Sequence, residues 1–75
     1  MSLADVKPSQ RCRVLDAADD NAELRSRFYA LGLYPGVEVD VLRVAPAGDP
    51  MQLRIGRLLL SVRKADAARV RVEVI

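Results

Sequence analysis

Few side chains in this sequence could carry reaction chemistry. It has no histidine and one cysteine, Cys12. Neither a Ser–His nor a Cys–His nucleophile can be assembled. The nitrogen and sulfur ligands that transition metals favour are almost absent as well. Two groups of charges remain. Asp16, Asp19, Asp20 and Glu23 form a carboxylate run that could attract a divalent cation through oxygen. Asp20 and Glu23 have a competing explanation, as N-cap and N3 of a helix, a capping-box-like pair suited to the positive end of the dipole. Arg11 and Arg13 alternate in one segment, and Arg69 and Arg71 in another. Should those segments pair, four outward guanidiniums could dock an acidic protein surface or a phosphate backbone. The alternative is a solvated face balanced by Asp5, Asp16 and Glu73. Cys12 has inward parity and reads as a small core residue rather than a redox group. No catalytic residue, cofactor or metal site is expected, and the chain is not expected to be an enzyme.

Composition sets the frame for these side chains. The sequence has 75 residues, 51% hydrophobic and 29% charged, with a formal net charge of +2. These values describe an ordinary small globular domain over residues 1–75. A chain this short buries roughly 60% of its unfolded surface, so the core is thin. The net charge is too small to imply a polyanionic partner by itself. Lys7 and Lys64 are the only lysines, so nearly all positive charge is arginine, a bias that codon usage explains as readily as a binding surface. No apolar run approaches the roughly 20 residues that span a bilayer, and no signal-peptide core is present. With a single cysteine, a cytoplasmic setting is expected. Aromatic platforms for bases are limited to Phe28, Tyr29 and Tyr34, so nucleic acid is not an expected partner.

The elements that must position these residues are legible from spacing. Gln10–Leu15 alternates, with Cys12 and Val14 on one side of a first strand. Leu24, Phe28 and Leu31 recur at helical spacing, predicting a helix over 21–31. Gly32 follows as the C′ residue of a Schellman ending, with Leu33 at C″ packing on Phe28 at C3. Pro35 and Gly36 suit the centre of a type II turn. Val37, Val39 and Val41 then alternate with Glu38 and Asp40, but Leu42 and Val44 fall on the opposite parity. Either a bulge or a sharp bend is implied in this second strand, over 37–44.

After the loop Ala45–Pro50, Gly56-Arg57 suits a two-residue type II′ hairpin. It opposes Ile55 to Leu58, Leu53 to Leu60 and Met51 to Val62, all six on one face. Gln52, Arg54, Ser61 and Arg63 face out, with Leu59 as an apolar exception. Residues 63–67 read as one helical turn. A last strand over 69–75 buries Val70, Val72 and Val74. Leu3 and Val6 close one end of the core. Five short strands with a helix between the first and second predict a mainly β, SH3-like barrel. An OB-like barrel is the alternative, although its helix usually lies between later strands.

The chain resembles the FeoA family, small proteins of bacterial ferrous-iron transport. The resemblance rests on Leu31-Gly32-Leu33-Tyr34-Pro35-Gly36, on Ala45-Pro46-Ala47-Gly48-Asp49-Pro50, and on the run from Gly56 through Lys64 with Asp66-Ala67. It implies an SH3-like barrel in the cytoplasm, without enzymatic activity. It also implies a partnership with FeoB, the membrane permease that carries a GTPase domain. The same domain type occurs appended to metal-dependent repressors, but no helix-turn-helix precedes it here. Ser9 is a departure, since relatives often carry Gly after Lys-Pro.

An accessory protein that binds and modulates such a permease is therefore expected, with self-association open. The alternatives are a small iron carrier and an SH3-like regulatory or nucleic-acid-binding module. The candidate protein-binding residues are Tyr34, Leu42, Leu59, Arg11, Arg13 and Arg54. Leu42 has the further alternative of burial by the bend.

Overall fold

The computed structural model describes residues 1–75. A 3₁₀ turn, Leu3–Asp5, precedes β1 (Arg11–Ala17) and α1 (Ala22–Ala30). There follow β2 (Glu38–Val44), β3 (Met51–Ile55), β4 (Leu58–Val62), α2 (Lys64–Ala67) and β5 (Val70–Val74). The strands form one antiparallel sheet of order β4-β3-β2-β1-β5, so the first and last strands are neighbours, as expected. Hydrogen bonding does not close between β4 and β5, which leaves a curled, SH3-like half-barrel with two edges.

Two bulges curl the sheet. One shifts the β1–β5 register between Val14 and Asp16, the other the β2–β3 register between Val41 and Arg43. An extra residue on one strand bends it and reverses which side chains face inward. Leu42 keeps the outward parity of Glu38 and Asp40, and the second bulge is why Arg43, on the parity of Val39 and Val41, is exposed as well. Leu42 projects outward at 39% exposure, so of the two readings of that strand the bulge is the correct one. The first bulge carries β1 on to Ala17, past the expected end at Leu15.

All 16 buried residues are apolar. Cys12, Val14, Val39, Val41, Met51, Leu53, Val70 and Val72 come from the concave face, and Leu3, Val6, Phe28 and Leu33 cover it. Each fully buried Val or Leu side chain contributes on the order of 1.5–3 kcal/mol relative to exposure. Without a buried polar side chain to satisfy, the core imposes shape alone.

The helix-to-strand corner forms as its residues predict. Gly32 has φ +99, its N–H donates to the Tyr29 carbonyl at 3.0 Å, and the Leu33 N–H donates to the Phe28 carbonyl at 2.9 Å. Those are the two bonds of a Schellman ending. Gly36 has φ +93, and the Val37 N–H reaches the Tyr34 carbonyl at 3.2 Å, closing the turn.

Several expectations need correction. Asn21, not Asp20, caps α1: its Oδ1 accepts from the Leu24 N–H at 3.0 Å. Asp20 lies one residue too early for that bond and instead accepts from Arg69. Leu31 is exposed, because the chain turns at Gly32 and Leu33 takes the core position. Leu58 and Val74 are also exposed: each lies at one end of an edge strand, beyond the reach of the covering elements. The hairpin register itself is as predicted, with Ile55 opposite Leu58, Leu53 opposite Leu60 and Met51 opposite Val62. Ser9, where relatives often have Gly, has φ +73. The departure therefore falls on a left-handed position.

Candidate docking face

The convex side of the sheet carries most of the candidate residues, brought together by register. Arg11 on β1 lies opposite Asp40 on β2, Asp40 opposite Arg54 on β3, and Arg54 opposite Leu59 on β4. Four strands thus contribute one residue each to a single transverse row. Asp40 organises it: Arg11 Nε donates to Oδ1 at 2.8 Å and Arg54 Nη2 donates to Oδ2 at 3.3 Å. The Arg11 hydrogen bond, reinforced by Arg54, holds the Asp40 carboxyl below the usual carboxylate range and raises the Arg11 guanidinium. Asp40 belonged to no candidate set, because only strand pairing places it between two arginines from distant parts of the chain.

Arg13 lies in the next row, where Nη1 donates to Glu73 Oε1 at 3.0 Å and Nη2 comes within 3.9 Å of Glu38. Glu38 also lies 3.6 Å from Arg11. The predicted cluster of four neighbouring guanidiniums does not form. The bulge in β1 sets Arg71 opposite Asp16, and Arg13 faces Glu73. Arg71 donates to Asp16 Oδ2 through Nε at 3.1 Å and Nη2 at 2.6 Å, which lowers the Asp16 pKa. Such exposed pairs are screened by water, so their main effect is to orient side chains. Asp5 takes no part in this balance; its carboxylate accepts from the Ser2 N–H at 3.0 Å.

Leu42 and Leu59 border one cleft on the β2–β3–β4 face. Gln52, Leu53, Leu60 and Ser61 complete its lining, and its volume is about 130 Å³. A drug-sized ligand needs roughly 300–1,000 Å³, so this cleft suits a partner's side chain instead. Leu59 is the most exposed large apolar residue at 67%, and Leu58 beside it stands at 51%. Tyr34 is half exposed at the α1–β2 corner and belongs to neither row.

The carboxylates at the start of α1 do not assemble a cation site. Asp16 and Asp20 turn to Arg71 and Arg69, and no three ligating side chains converge anywhere. Cys12 is fully buried, and burial pushes its thiol up to about 11, so it stays protonated at neutral pH. The face offers apolar contact and oriented charge, which is recognition chemistry.

Comparison with known proteins identifies the family and the fold. The sequence profile of the FeoA domain matches residues 1–74. A Porphyromonas gingivalis protein described as an Fe(2+) transport protein A/Fe(2+) transporter FeoB fusion is 32% identical over 62 residues. The match covers 83% of this chain but 7% of that protein. Among solved structures, FeoA from Chlorobium tepidum superposes with a TM-score of 0.89 at 33% identity, covering 100% of this chain and 70% of that one. FeoA from Stenotrophomonas maltophilia, solved as a zinc complex and described as a prokaryotic SH3 domain protein, gives 0.83 at 26% identity, covering 97% and 89%.

Proposed function

This chain belongs to the FeoA family, and we propose that residues 1–75 act as one non-enzymatic interaction domain for a FeoB-type ferrous-iron permease. In this reading it docks on the permease's cytosolic part, in the cytoplasm, and tunes its assembly or nucleotide cycle. The observation that carries the proposal is the fused P. gingivalis protein, in which a related domain and the transporter share one chain. Covalent linkage keeps two modules at high effective concentration, which is useful where they work in contact. The convex face is consistent with this role, since it presents Leu42 and Leu59 beside the Arg11–Asp40–Arg54 row. The docking residues in this reading are Leu42, Leu59, Arg11, Arg13 and Arg54, with Tyr34 at the adjoining corner.

The test is capture of the permease, full-length and as its cytosolic domains, by the purified protein. Wild type should retain it, and Leu59→Asp should lose most of it, because a carboxylate replaces the central apolar contact. Arg13→Glu should weaken capture by setting like charges beside Glu38 and Glu73. Failure of wild type to retain even the full-length permease would overturn the proposal.

A second reading, a small iron carrier, draws on the zinc complex of the S. maltophilia relative. Anaerobic titration with ferrous iron separates the two. Tight, stoichiometric binding supports the carrier; binding too weak to saturate supports the docking module.

A further inference from the structure

The two edges of the sheet are treated differently by the fold. Along β5 the N-terminal segment adds a bridge, Ser2 opposite Arg71, and the Val72 N–H donates to the Met1 carbonyl at 3.0 Å. Along β4 nothing is added. In a two-residue hairpin the residues flanking the turn, Ile55 and Leu58, exchange hydrogen bonds, and pairing then alternates along the strands. Leu60 and Val62 therefore bond back to β3, while Leu59 and Ser61 direct their N–H and C=O groups away from it. No backbone or side-chain group elsewhere in the chain meets them. An open edge bearing exposed apolar residues is a template for another strand, and small proteins usually blunt such edges.

The side chains along this edge specify what fits. Leu59 and Ser61 lie on the outer side of the strand, and the exposed Arg57, in the turn before it, and Arg63, just after it, flank them at the same two-residue spacing. Arg57 has no carboxylate partner, and Arg63 reaches Asp49 only at 4.0 Å. Leu58, on the inner side, is half exposed. A second copy is a poor complement. Antiparallel pairing centred on Leu60 sets Arg57 opposite Arg63, and pairing centred on Leu59 leaves Arg57 facing Ser61 without a counter-charge. Like charges directly opposite are destabilising.

We propose that β4 is a strand-addition site for an extended, mainly apolar partner segment flanked at both ends by acidic residues. It runs antiparallel to β4, placing carboxylates opposite Arg57 and Arg63 and an apolar side chain on Leu59. Backbone bonds at Leu59 and Ser61 supply affinity, and the arginines and leucines supply selectivity. The assignment rests on the reading above that the partner is a protein, and it names the part of the docking face that grips it.

The experiment titrates the isotope-labelled full chain with a capped synthetic peptide, Glu-Val-Thr-Val-Leu-Val-Glu, followed by amide NMR. The expected result is perturbation centred on Leu59 and Ser61, with exchange of both amides slowed about tenfold or more. A peptide with lysine in place of glutamate should bind at least about tenfold more weakly. Ser61→Pro should abolish binding while keeping the fold, because the N–H it removes faces solvent and edge proline is tolerated there. Arg57→Glu leaves the backbone untouched and should shift preference toward the lysine peptide, which keeps the test decisive if Ser61→Pro misfolds.

The proposal is overturned by equal binding of both peptides, by perturbation centred elsewhere, or by no response at millimolar peptide. It is also overturned if light scattering shows a dimer whose Leu59 and Ser61 amides are protected without peptide, since the occupant is then a second copy. Capture of the permease by wild type alongside peptide failure removes only the β4 assignment; failure of both removes the docking function too.

Discussion

The Leu33 N–H donates to the Phe28 carbonyl at 2.9 Å, and both side chains are buried in the same core. One bond therefore ends α1 and fixes the direction in which the chain enters β2. Its geometry requires Gly32 at φ +99. Gly32→Ala is expected to cost about 1 kcal/mol in chemical denaturation, from the left-handed backbone alone. Space is not the problem, because an added Cβ would meet Ile55 Cδ1 at an ordinary 3.7 Å. A loss much greater than this would point to displacement of the β3–β4 hairpin.

Ser9 offers the reverse change. It is exposed at φ +73, where a Cβ is strained and glycine is not. Ser9→Gly should raise stability by about 0.5–1 kcal/mol, a rise of several degrees in the melting midpoint for a domain this size. Thermal melts followed by circular dichroism would read it.

The two candidate caps of α1 separate cleanly by mutation. Asn21→Ala removes the bond to the Leu24 N–H and should cost about 1 kcal/mol. Asp20→Ala removes only an exposed pair with Arg69 and should leave the denaturation midpoint nearly unchanged. Equal losses would contradict the cap geometry.

Acid should destabilise the fold through the convex-face carboxylates. Asp16 and Asp40 titrate below their ordinary value in the folded chain because arginines hydrogen-bond their charged forms. The unfolded chain consequently takes up protons first as pH falls. Their contribution is complete above about pH 4 and is lost as pH drops through the lowered folded values. Melting midpoints measured between neutral pH and pH 2 should fall most steeply below about pH 4. Asp40→Asn should flatten that slope, and an unchanged slope would show that the Arg11–Asp40–Arg54 row does not contribute.

Core and face should respond oppositely to substitution. Leu53 is fully buried, so Leu53→Ala should cost about 2–5 kcal/mol and leave a domain this small only marginally folded. Leu59 is exposed on the edge strand, so Leu59→Asp should change the denaturation midpoint little while removing partner capture. A large stability loss at Leu59 would move it from the face into the core.

Local chemistry alone determined the Schellman ending at Gly32, the turn at Pro35-Gly36, the Gly56-Arg57 hairpin and its register, and the inward parity of Cys12, Val14, Val39 and Val41. Each depends on residues a few positions apart, where sterics and two- or four-residue periodicity act without help from the rest of the chain. The sequence also marked a bulge or a sharp bend near Leu42 as a broken parity, but only the pairing of β2 with β3 decided for the bulge, with Leu42 facing outward. Tertiary structure alone decided that Asp40 sits between Arg11 and Arg54, and that Arg13 and Arg71 face Glu73 and Asp16 instead of one another. Those neighbours are up to 60 residues apart, and a one-residue slip at either bulge would exchange them. It also decided that Leu59 and Ser61 keep an open edge. Which strand remains unpaired depends on how far the sheet curls before it closes, a property of the assembled fold that no local pattern records.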